Sequence, residues 1–503
     1  MSSGVGRDDV DGFAGVNSKR LFTGSCFGIG ASAMTFVAIS AVMGPLKEHF
    51  VLSNEQVGWI GGAAMWGFTV TILTFGSLCD VVGMRLVLRL AVVGHVAGAV
   101  LMIFAGGFAM LFAGALTLSM ADGLVQAACN PLIATLYADR KTEMFNKLHR
   151  WFPGGIVVGG LIAFGLDRLP IESWQLKLAL ILAPAMTYGT LFLGQKFPAT
   201  ERVQSGVSFA RMFKETFFRP LFLVLLVSMM MTASIELGPN RWVPAVLESA
   251  GIPGILVLVW ISLVMTVLRS FAGSIGRRLS PTGILLSSAI LSGLGLLWLS
   301  YAVTSTVAFV AATVFAVGIA YFWPTMIGVT SERVPKGGAL ALAMMGAAGT
   351  VSVGLVTAPM MGRVADSHLN EKLPFEETLA CLERVVEDYS AAKARAEGRS
   401  SEDIGRAVEN ARNVLDVAGR TGALPEIDTA NALRSAITAN PKSAAAGLAK
   451  QLLGPAENYG GRISFRRVAL LSILLTVVFG VLYLRDRARG GYRVEKLSSK
   501  EAV

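Results

Sequence analysis

The sequence predicts an all-α membrane protein, with twelve transmembrane helices arranged as two pseudo-symmetric six-helix bundles. Composition is the first reason: 53% of the 503 residues are hydrophobic and 16% are charged, whereas soluble domains carry about 25% charged residues. The mean hydropathy of +0.59 agrees with this. The other two reasons are a series of long apolar runs and an internal repeat. A run of about 18 or more apolar residues is long enough to cross a ~30 Å hydrocarbon core as a helix.

Twelve such runs follow one another along the chain. They span 21–46, 57–78, 83–105, 108–138, 151–167, 176–196, 218–247, 253–273, 283–303, 306–330, 337–365 and 464–484. Helices are predicted because lipid requires each segment to satisfy its own backbone polar groups, and the alternation typical of barrel strands is absent. Residues 1–20 are polar and do not resemble a cleavable signal peptide, so we predict a cytoplasmic N-terminal tail.

The basic residues predict the orientation in the membrane. Lysine and arginine concentrate in every second loop, for example at Arg140, Lys141, Arg277 and Arg278, and again in the C-terminal tail. Because basic loops stay inside, both termini are predicted to be cytoplasmic. The net charge of +10 is therefore attributed to topology and not to nucleic-acid binding. The expected location is a plasma membrane, the bacterial inner membrane, as a multi-pass protein within the lipid bilayer. The basic cluster 462–467 opposes this orientation, but it follows a long loop, where the rule weakens.

The internal repeat divides the chain into two halves. Gly44-Pro45 recurs as Gly238-Pro239, Asn130-Pro131 corresponds to Trp323-Pro324, and Gly76 corresponds to Gly273, all at nearly the same spacing. We therefore predict the following units: a first bundle at 21–196, a cytoplasmic linker at 197–217, helices 7–11 at 218–365, helix 12 at 463–485 and a cytoplasmic tail at 486–503.

The polar segment 366–462 separates the last two predicted helices. Leu379, Leu382, Val385 and Val386 fall on one side of a helix, which predicts an amphipathic helix. A second helical piece ends at Gly419, a third follows Asp428, and a fourth covers 441–453. We predict an extracytoplasmic helical insertion between helices 11 and 12. It could form a cap, a module that docks a partner, or a spacer.

A tight charged turn, "GSLCDVVGMR", joins the second and third predicted helices. Gly76 and Gly83 would permit close approach and a positive φ angle. Asp80 lies at the membrane edge, where an unpaired acid is costly, so we expect it to pair with Arg85 or to face the N-terminus of a neighbouring helix.

Three polar residues lie along one stripe of the fourth predicted helix. Asp122, Gln126 and Asn130 are spaced by four residues, which places them on one face. Such a stripe suits a water-filled, solute-binding cavity. The alternative is hydrogen bonding between helices, worth about 0.6 kcal/mol per bond.

Glu236 is the leading single residue in the seventh predicted helix, with Asn240 one turn further on. Gly238-Pro239 is expected to break this helix beside a cavity. A buried carboxylate can have its pKa raised into the physiological range. Glu236 could therefore carry a proton, accept a hydrogen bond from a solute, or pair with an arginine.

Histidines and aromatic residues supply further candidates. His149 could titrate near neutral pH or simply cap a helix, and His95 is expected to be a hydrogen-bonded packing residue. The aromatic side chains with polar edges could stack on cyclic solutes or pack between helices. These are Trp66, Trp260, Tyr321 and Trp323. The four cysteines have no metal-type spacing, and the sequence contains no phosphate-binding loop or catalytic triad. We therefore expect no metal, no cofactor and no enzymatic activity.

The turn and the two halves together resemble the major facilitator superfamily. Its signature in this turn is Gly-x-Leu-x-Asp-basic-x-Gly-basic-basic, and Gly76, Leu78, Asp80, Gly83 and Arg85 match it, whereas Val81 and Met84 do not. The resemblance implies that Gly76, Asp80, Gly83 and Arg85 form a cytoplasmic gate; the alternative is a static turn that only caps the second helix. It also implies that this gate meets the eleventh helix, which would start near 337–338.

Within the family, "QAACNPLIATLY", "FNKLHRWFPGG" and "YFWPT" resemble the fucose:proton symporter branch. Asn130, Pro131 and Asn146 match its pattern, and Glu236 resembles its acid in helix seven. The sequence departs from the branch at Gln126, which replaces a coupling glutamate, and at Pro153, which replaces an asparagine that contacts sugar. No acid lies between residues 21 and 46.

The resemblance implies a monomeric secondary active transporter that moves a small polar solute by alternating access. A sugar is the leading solute class, and proton coupling would involve Glu236, Asp122 or His149. The alternatives are a proton-coupled exporter of drugs or metabolites and a transporter-fold sensor that signals through the outer insertion.

Overall fold

The computed structural model describes residues 15–50, 52, 54–169, 174–248, 251–252, 254–393 and 398–497. The part of the chain so described is helical and contains no β-strand. Most of the predicted N-terminal tail lies outside these residues.

Within the described residues, the N-terminal half contains eight helices, and two short helices link it to the rest. They are α1 (Ser18–His49), α2 (Asn54–Val82), α3 (Met84–Ile103), α4 (Phe108–Leu136), α5 (Lys141–His149), α6 (Trp151–Leu166), α7 (Trp174–Ala179) and α8 (Leu182–Phe192), with α9 (Glu201–Gln204) and α10 (Phe209–Phe217) in the linker.

The C-terminal half begins at Pro220. Its helices are α11 (Pro220–Glu248), α12 (Gly254–Ser270), α13 (Ala272–Arg278), α14 (Pro281–Leu299), α15 (Ser305–Ile319), α16 (Phe322–Arg333), α17 (Gly338–Val351) and α18 (Ala358–Leu369), and a π-helical turn, Ser352–Thr357, joins the last two. The chain then forms α19 (Phe375–Lys393), α20 (Gly398–Thr421), α21 (Glu426–Ala439) and α22 (Ala444–Ala488).

Nine helical segments of the described chain are long and apolar enough to cross a membrane. The pair α12 and α13, which is bent by 62°, would be a tenth. Two predicted spans contain no single helix of this length. Residues 151–167 contain the 16-residue α6, and residues 176–196 are divided between α7 and α8. The predicted run at 151–167 is itself short, and a break near residue 180 divides the second segment.

The predicted break in the seventh span is wrong. Helix α11 continues for 29 residues through both Pro239 and Pro244. Neighbouring helices can support a proline inside a membrane helix. Gly238 permits such support, because a Cβ atom there would lie 2.8 Å from Cγ2 of Thr357.

The most extensive contacts between the two halves involve three pairs of helices. These pairs are α2 with α17, α5 with α16, and α6 with α12. Glycines make two of the contacts possible. A Cβ atom on Gly76 would lie 2.0 Å from Cβ of Ala343, and one on Gly328 would lie 2.7 Å from Cα of Thr142. The two halves therefore pack closely against each other at the end of the molecule that carries the charged turn.

The polar segment between α18 and α22 folds around its own apolar core. Cys381, Leu382 and Tyr389 of α19 are buried with residues of α20, α21 and the start of α22. The separate fourth helix predicted at 441–453 is wrong, because α22 runs unbroken for 45 residues into the last apolar run. Ser443 caps α22 by accepting a hydrogen bond from Ala446, and no strong breaker follows except Pro455, which the helix tolerates.

Candidate functional site

A buried ion pair joins α11 to α12. Arg269 Nη2 donates a hydrogen bond of 3.0 Å to Glu236 Oε1, and the two side chains are only 3% and 6% exposed. Of the three roles that the sequence left open for Glu236, pairing with an arginine is the one present in this conformation. Its other oxygen, Oε2, makes no hydrogen bond of ordinary geometry with the described residues.

Arg269 also connects the two halves of the molecule. Its Nε donates to the carbonyl oxygen of Ala320 at 2.6 Å, and its Nη1 donates to the carbonyl oxygen of His149 at 2.9 Å. Ala320 lies between α15 and α16, whereas His149 ends α5 in the N-terminal half. Because buried charges are costly unless they are paired and hydrogen-bonded, these contacts explain how the guanidinium is held here.

Sequence reasoning missed Arg269. The signal was present as a single arginine at the end of an apolar run, "LVMTVLRSF". Its position near the end of the predicted eighth span made it resemble an interfacial residue, and only the packing of α12 against α5 and α11 shows that it is buried.

The stripe on α4 separates into two environments. Asp122 Oδ1 lies 2.9 Å from Nε2 of His95 in α3, so this carboxylate faces another helix of its own half. Gln126 and Asn130 are buried, and Oε1 of Gln126 and both amide atoms of Asn130 have no partner among the described residues. No hydrogen bond or ion pair within the described chain joins Asp122 to Glu236.

Several other buried polar atoms lack partners among the residues described. They include Oδ1 of Asn146, Nε2 of His149, Nε1 of Trp151, Oδ1 of Asn240 and Nε1 of Trp323. Buried polar groups in native proteins are almost always hydrogen-bonded to protein or water. These atoms, with those of Gln126 and Asn130, are therefore available to bond to water or a polar solute.

His149 is held by its own helix. Its Nδ1 lies 3.0 Å from the carbonyl oxygen of Phe145. Burial, followed by the charge of Arg269, lowers the pKa of His149 to about 3. The imidazole is therefore neutral near pH 7 in this conformation, which does not favour it as a proton carrier.

The four aromatic candidates fall into two groups. Tyr321 and Trp323 are buried, and the Tyr321 hydroxyl donates to the carbonyl oxygen of Leu268 at 2.6 Å. In contrast, Trp66 and Trp260 are more than one-third exposed. Trp66 packs edge-on against Trp59, and Trp260 donates to Thr313 Oγ1 at 2.8 Å. Only the first group lies beside the buried ion pair.

The charged turn uses a different partner from the one expected. Asp80 accepts hydrogen bonds of 2.6 Å from Nε of Arg202 and from the hydroxyl of Thr200, both in the linker, whereas Arg85 is exposed. The expected pairing with Arg85 is therefore corrected. Gly83 has the positive φ that the sequence predicted, at 81°. Arg202 also lies against Gly338 at the start of α17, so it stands between Asp80 and that helix.

Further polar contacts close the same end of the molecule, and sequence reasoning missed them. Glu332 of α16 accepts from the backbone N–H of Thr142 at 2.9 Å and from the Tyr492 hydroxyl at 2.7 Å. Lys141 pairs with Glu201 in the linker and reaches the carbonyl oxygen of Ser331. The linker and the C-terminal tail thus join the two halves.

Comparisons with known proteins agree with this architecture. The family model described as Major Facilitator Superfamily matches residues 25–359. The structure resembles the fucose:proton symporter FucP of E. coli, with a TM-score of 0.55 and 16% identity over 69% of this chain and 92% of that one. It also resembles the E. coli xylose transporter XylE, with a TM-score of 0.54 and 14% identity over 68% and 90%.

A human protein is similar over more of the chain. The organic anion transporter MFSD10 (TETRAN) has a TM-score of 0.57 and 11% identity over 92% of this chain and 99% of that one. No curated protein matches the sequence significantly. At these identities the structural likeness establishes the fold alone.

Proposed function

We propose, from the premise that this chain belongs to the major facilitator superfamily, that it moves a small polar solute across a membrane by alternating access. The observation that carries this proposal is the buried Glu236–Arg269 pair, which touches the N-terminal half through His149 and lies among buried polar atoms without partners. Ionisable residues inside membrane helices are expensive and mark solute or ion pathways.

The proposal assigns twelve spans to the fold. Helix α6 is the fifth span, α7 with α8 is the sixth, and α12 with α13 is the eighth. The bundles at 21–196 and at 218–365 with helix 12 then enclose the site, both termini are cytoplasmic, and the segment 366–462 is extracytoplasmic. We place the protein in the plasma membrane as a monomer.

The solute-binding set combines residues of both halves. Asn130 and Gln126 would contribute from α4, and Glu236, Asn240 and Trp323 from the C-terminal half. Buried amide groups and aromatic faces suit a sugar, which can accept and donate hydrogen bonds while it stacks on a ring. The resemblance to the fucose:proton symporter branch supports the same class.

Glu236 is the proposed coupling residue. A proton that binds at Oε2 would neutralise the carboxylate and weaken its attraction for Arg269. Because Arg269 also holds the carbonyl oxygen of His149, this change would loosen a contact between the two halves. Protonation would thereby favour separation of α5 from α12 and opening of the gate at Asp80.

The test is uptake into proteoliposomes, with and without an imposed pH gradient, for a panel of sugars, organic acids and nucleosides. We expect a sugar to accumulate with the gradient and Glu236→Gln to abolish accumulation. Glu383→Gln, at an exposed position in α19, is the control and should behave as the unaltered protein. Undiminished gradient-driven accumulation in Glu236→Gln would contradict the coupling role.

A further inference from the structure

A second buried ionisable cluster lies within the N-terminal half, on α3, α4 and α8. His95 is fully buried, with Nε2 2.9 Å from Asp122 Oδ1 and Nδ1 2.9 Å from the Tyr188 hydroxyl. His95 and Asp122 each lie near the middle of a long apolar helix, and Tyr188 lies near the middle of α8. In a membrane transporter this position corresponds to the centre of the bilayer, where ionisable side chains are rare, costly and usually functional.

The acceptors around the imidazole determine which protons it can hold. An ionised carboxylate can only accept, so Nε2 carries a proton directed at Asp122. Nδ1 faces two oxygens of different kinds. The Ala91 carbonyl oxygen, at 3.1 Å, can only accept, whereas the Tyr188 hydroxyl can donate or accept.

Two protonation states therefore fit the same heavy-atom positions. In the neutral state, the Tyr188 hydroxyl donates to Nδ1. In the charged state, Nδ1–H donates to the Ala91 carbonyl oxygen and to the Tyr188 oxygen, whose own proton turns away. One proton can thus enter or leave at Nδ1 while Nε2 keeps its bond to Asp122.

Charge balance favours occupation of the site. Asp122 with a neutral His95 carries a charge of −1, and the added proton brings the pair to zero. Two further titratable groups lie beside this pair: Tyr188 of α8 and, next to Tyr188, Cys129 of α4. Both are neutral when protonated. A compensated buried pair costs less than an isolated buried carboxylate. Asp122, whose side chain is 13% exposed, is the member of the pair that water can reach.

We propose that His95, Asp122 and Tyr188 form a proton-binding site in the N-terminal half, with His95 Nδ1 as the atom that takes up the proton. The inference rests on the proton coupling proposed above and adds a second site to Glu236. Helix α4 links this site to the solute-binding set, because Gln126 and Asn130 follow Asp122 by one and two turns. A change of charge at His95, which is hydrogen-bonded to Asp122, therefore acts on the helix that would contact the solute.

The experiment is nitrogen NMR of the full-length protein in lipid, labelled with ¹⁵N only at its four histidines. His95→Gln assigns the His95 signal. His149 is an internal control, because its Nδ1 faces a carbonyl oxygen in the same way but its Nε2 has no partner among the described residues. We expect His95 to become doubly protonated on acidification while His149 is still neutral, because only His95 has a carboxylate partner.

Two variants should move the His95 transition in opposite directions. Asp122→Asn removes the balancing charge, so the doubly protonated form should be lost at the same pH. Tyr188→Phe removes the hydroxyl that donates to the neutral Nδ1, whereas the charged Nδ1–H keeps the Ala91 carbonyl oxygen as its acceptor. The doubly protonated form should therefore persist to higher pH. The unaltered protein alone can overturn the proposal, which fails if His95 keeps one neutral tautomer throughout. The measurement needs neither solute nor flux, so its result is independent of whether Glu236 couples transport.

Discussion

Arg269 is the residue whose role depends most on its surroundings. Its guanidinium neutralises Glu236 and donates to carbonyl oxygens in both halves, at Ala320 and at His149. Each of these contacts replaces hydration that the membrane interior cannot supply. The arginine therefore works as a unit with the acid, and variants of either residue have to be interpreted as changes to the pair.

Removing the arginine alone should destabilise the protein more than removing both charges. Arg269→Met leaves Glu236 buried without its partner, and breaking a buried pair in this way costs about 3–5 kcal/mol. The double variant with Glu236→Gln has no unpaired charge and should recover much of the loss. The stability of both variants is measured by monitoring tryptophan fluorescence during unfolding in detergent. A single variant as stable as the double one would show that the pair is not maintained in solution.

At the scale of helices, the glycines on facing surfaces decide how closely the halves approach. Gly76 lets α2 lie against Ala343 of α17, and Gly328 lets α16 lie against Thr142 of α5. Asp80 and Arg202 then pair beside the first of these contacts. Close packing and the Asp80–Arg202 ion pair are thus parts of the same interface.

A larger side chain at Gly76 should force this interface apart. Gly76→Val cannot fit against Ala343, whereas Gly61→Val, in the same helix, meets no atom within 4 Å and is the matched control. Spin labels at the exposed positions Arg140 and Arg278 report the separation of the halves, since the four native cysteines are buried. The distance between the labels should lengthen for Gly76→Val and stay unchanged for Gly61→Val. An unchanged distance in both would mean that the contact does not hold the halves closed.

At the scale of the whole molecule, the insertion is a small helical domain that is fixed to the C-terminal half. Arg434 of α21 binds Asp366 of α18 and Glu457 of α22, at 2.9 and 2.8 Å. The 45-residue α22 continues from this domain into the last apolar run. Burial raises the pKa of the Cys381 thiol in its core to about 11, as expected for a packed structural cysteine. Motion of helix 12 would therefore move the insertion with it.

Removal of the insertion should distinguish a transporter from a sensor. Replacing residues 373–442 with a short Gly/Ser linker leaves α18 and the membrane part of α22 in place. A transporter should retain uptake of its solute within a few-fold of the unaltered protein, whereas a sensor would lose its output. Uptake assays on matched amounts of folded protein make the comparison. Complete loss of uptake with the fold intact would show that the insertion takes part in transport.

The sequence by itself determined the features that depend on local chemistry. Runs of apolar residues predicted the membrane helices, and the positive φ of Gly83 followed from the composition of its turn. The turn and the repeat also indicated the likeness to the major facilitator superfamily, and the family match confirms it. These properties belong to single segments, whose solvation and backbone requirements do not depend on distant residues.

Only the tertiary structure decided the partners of the buried charges. Asp80 pairs with Arg202, Asp122 with His95, and Glu236 with Arg269, and each partner lies on a different helix or in the linker. Helical spacing placed Asp122 on the same stripe as Asn130, but it could not say that Asp122 faces α3. In a membrane core, a charged group is stabilised only by the groups that packing brings within a few ångströms. Its environment is therefore a property of how helices pack, which periodicity along one helix does not contain.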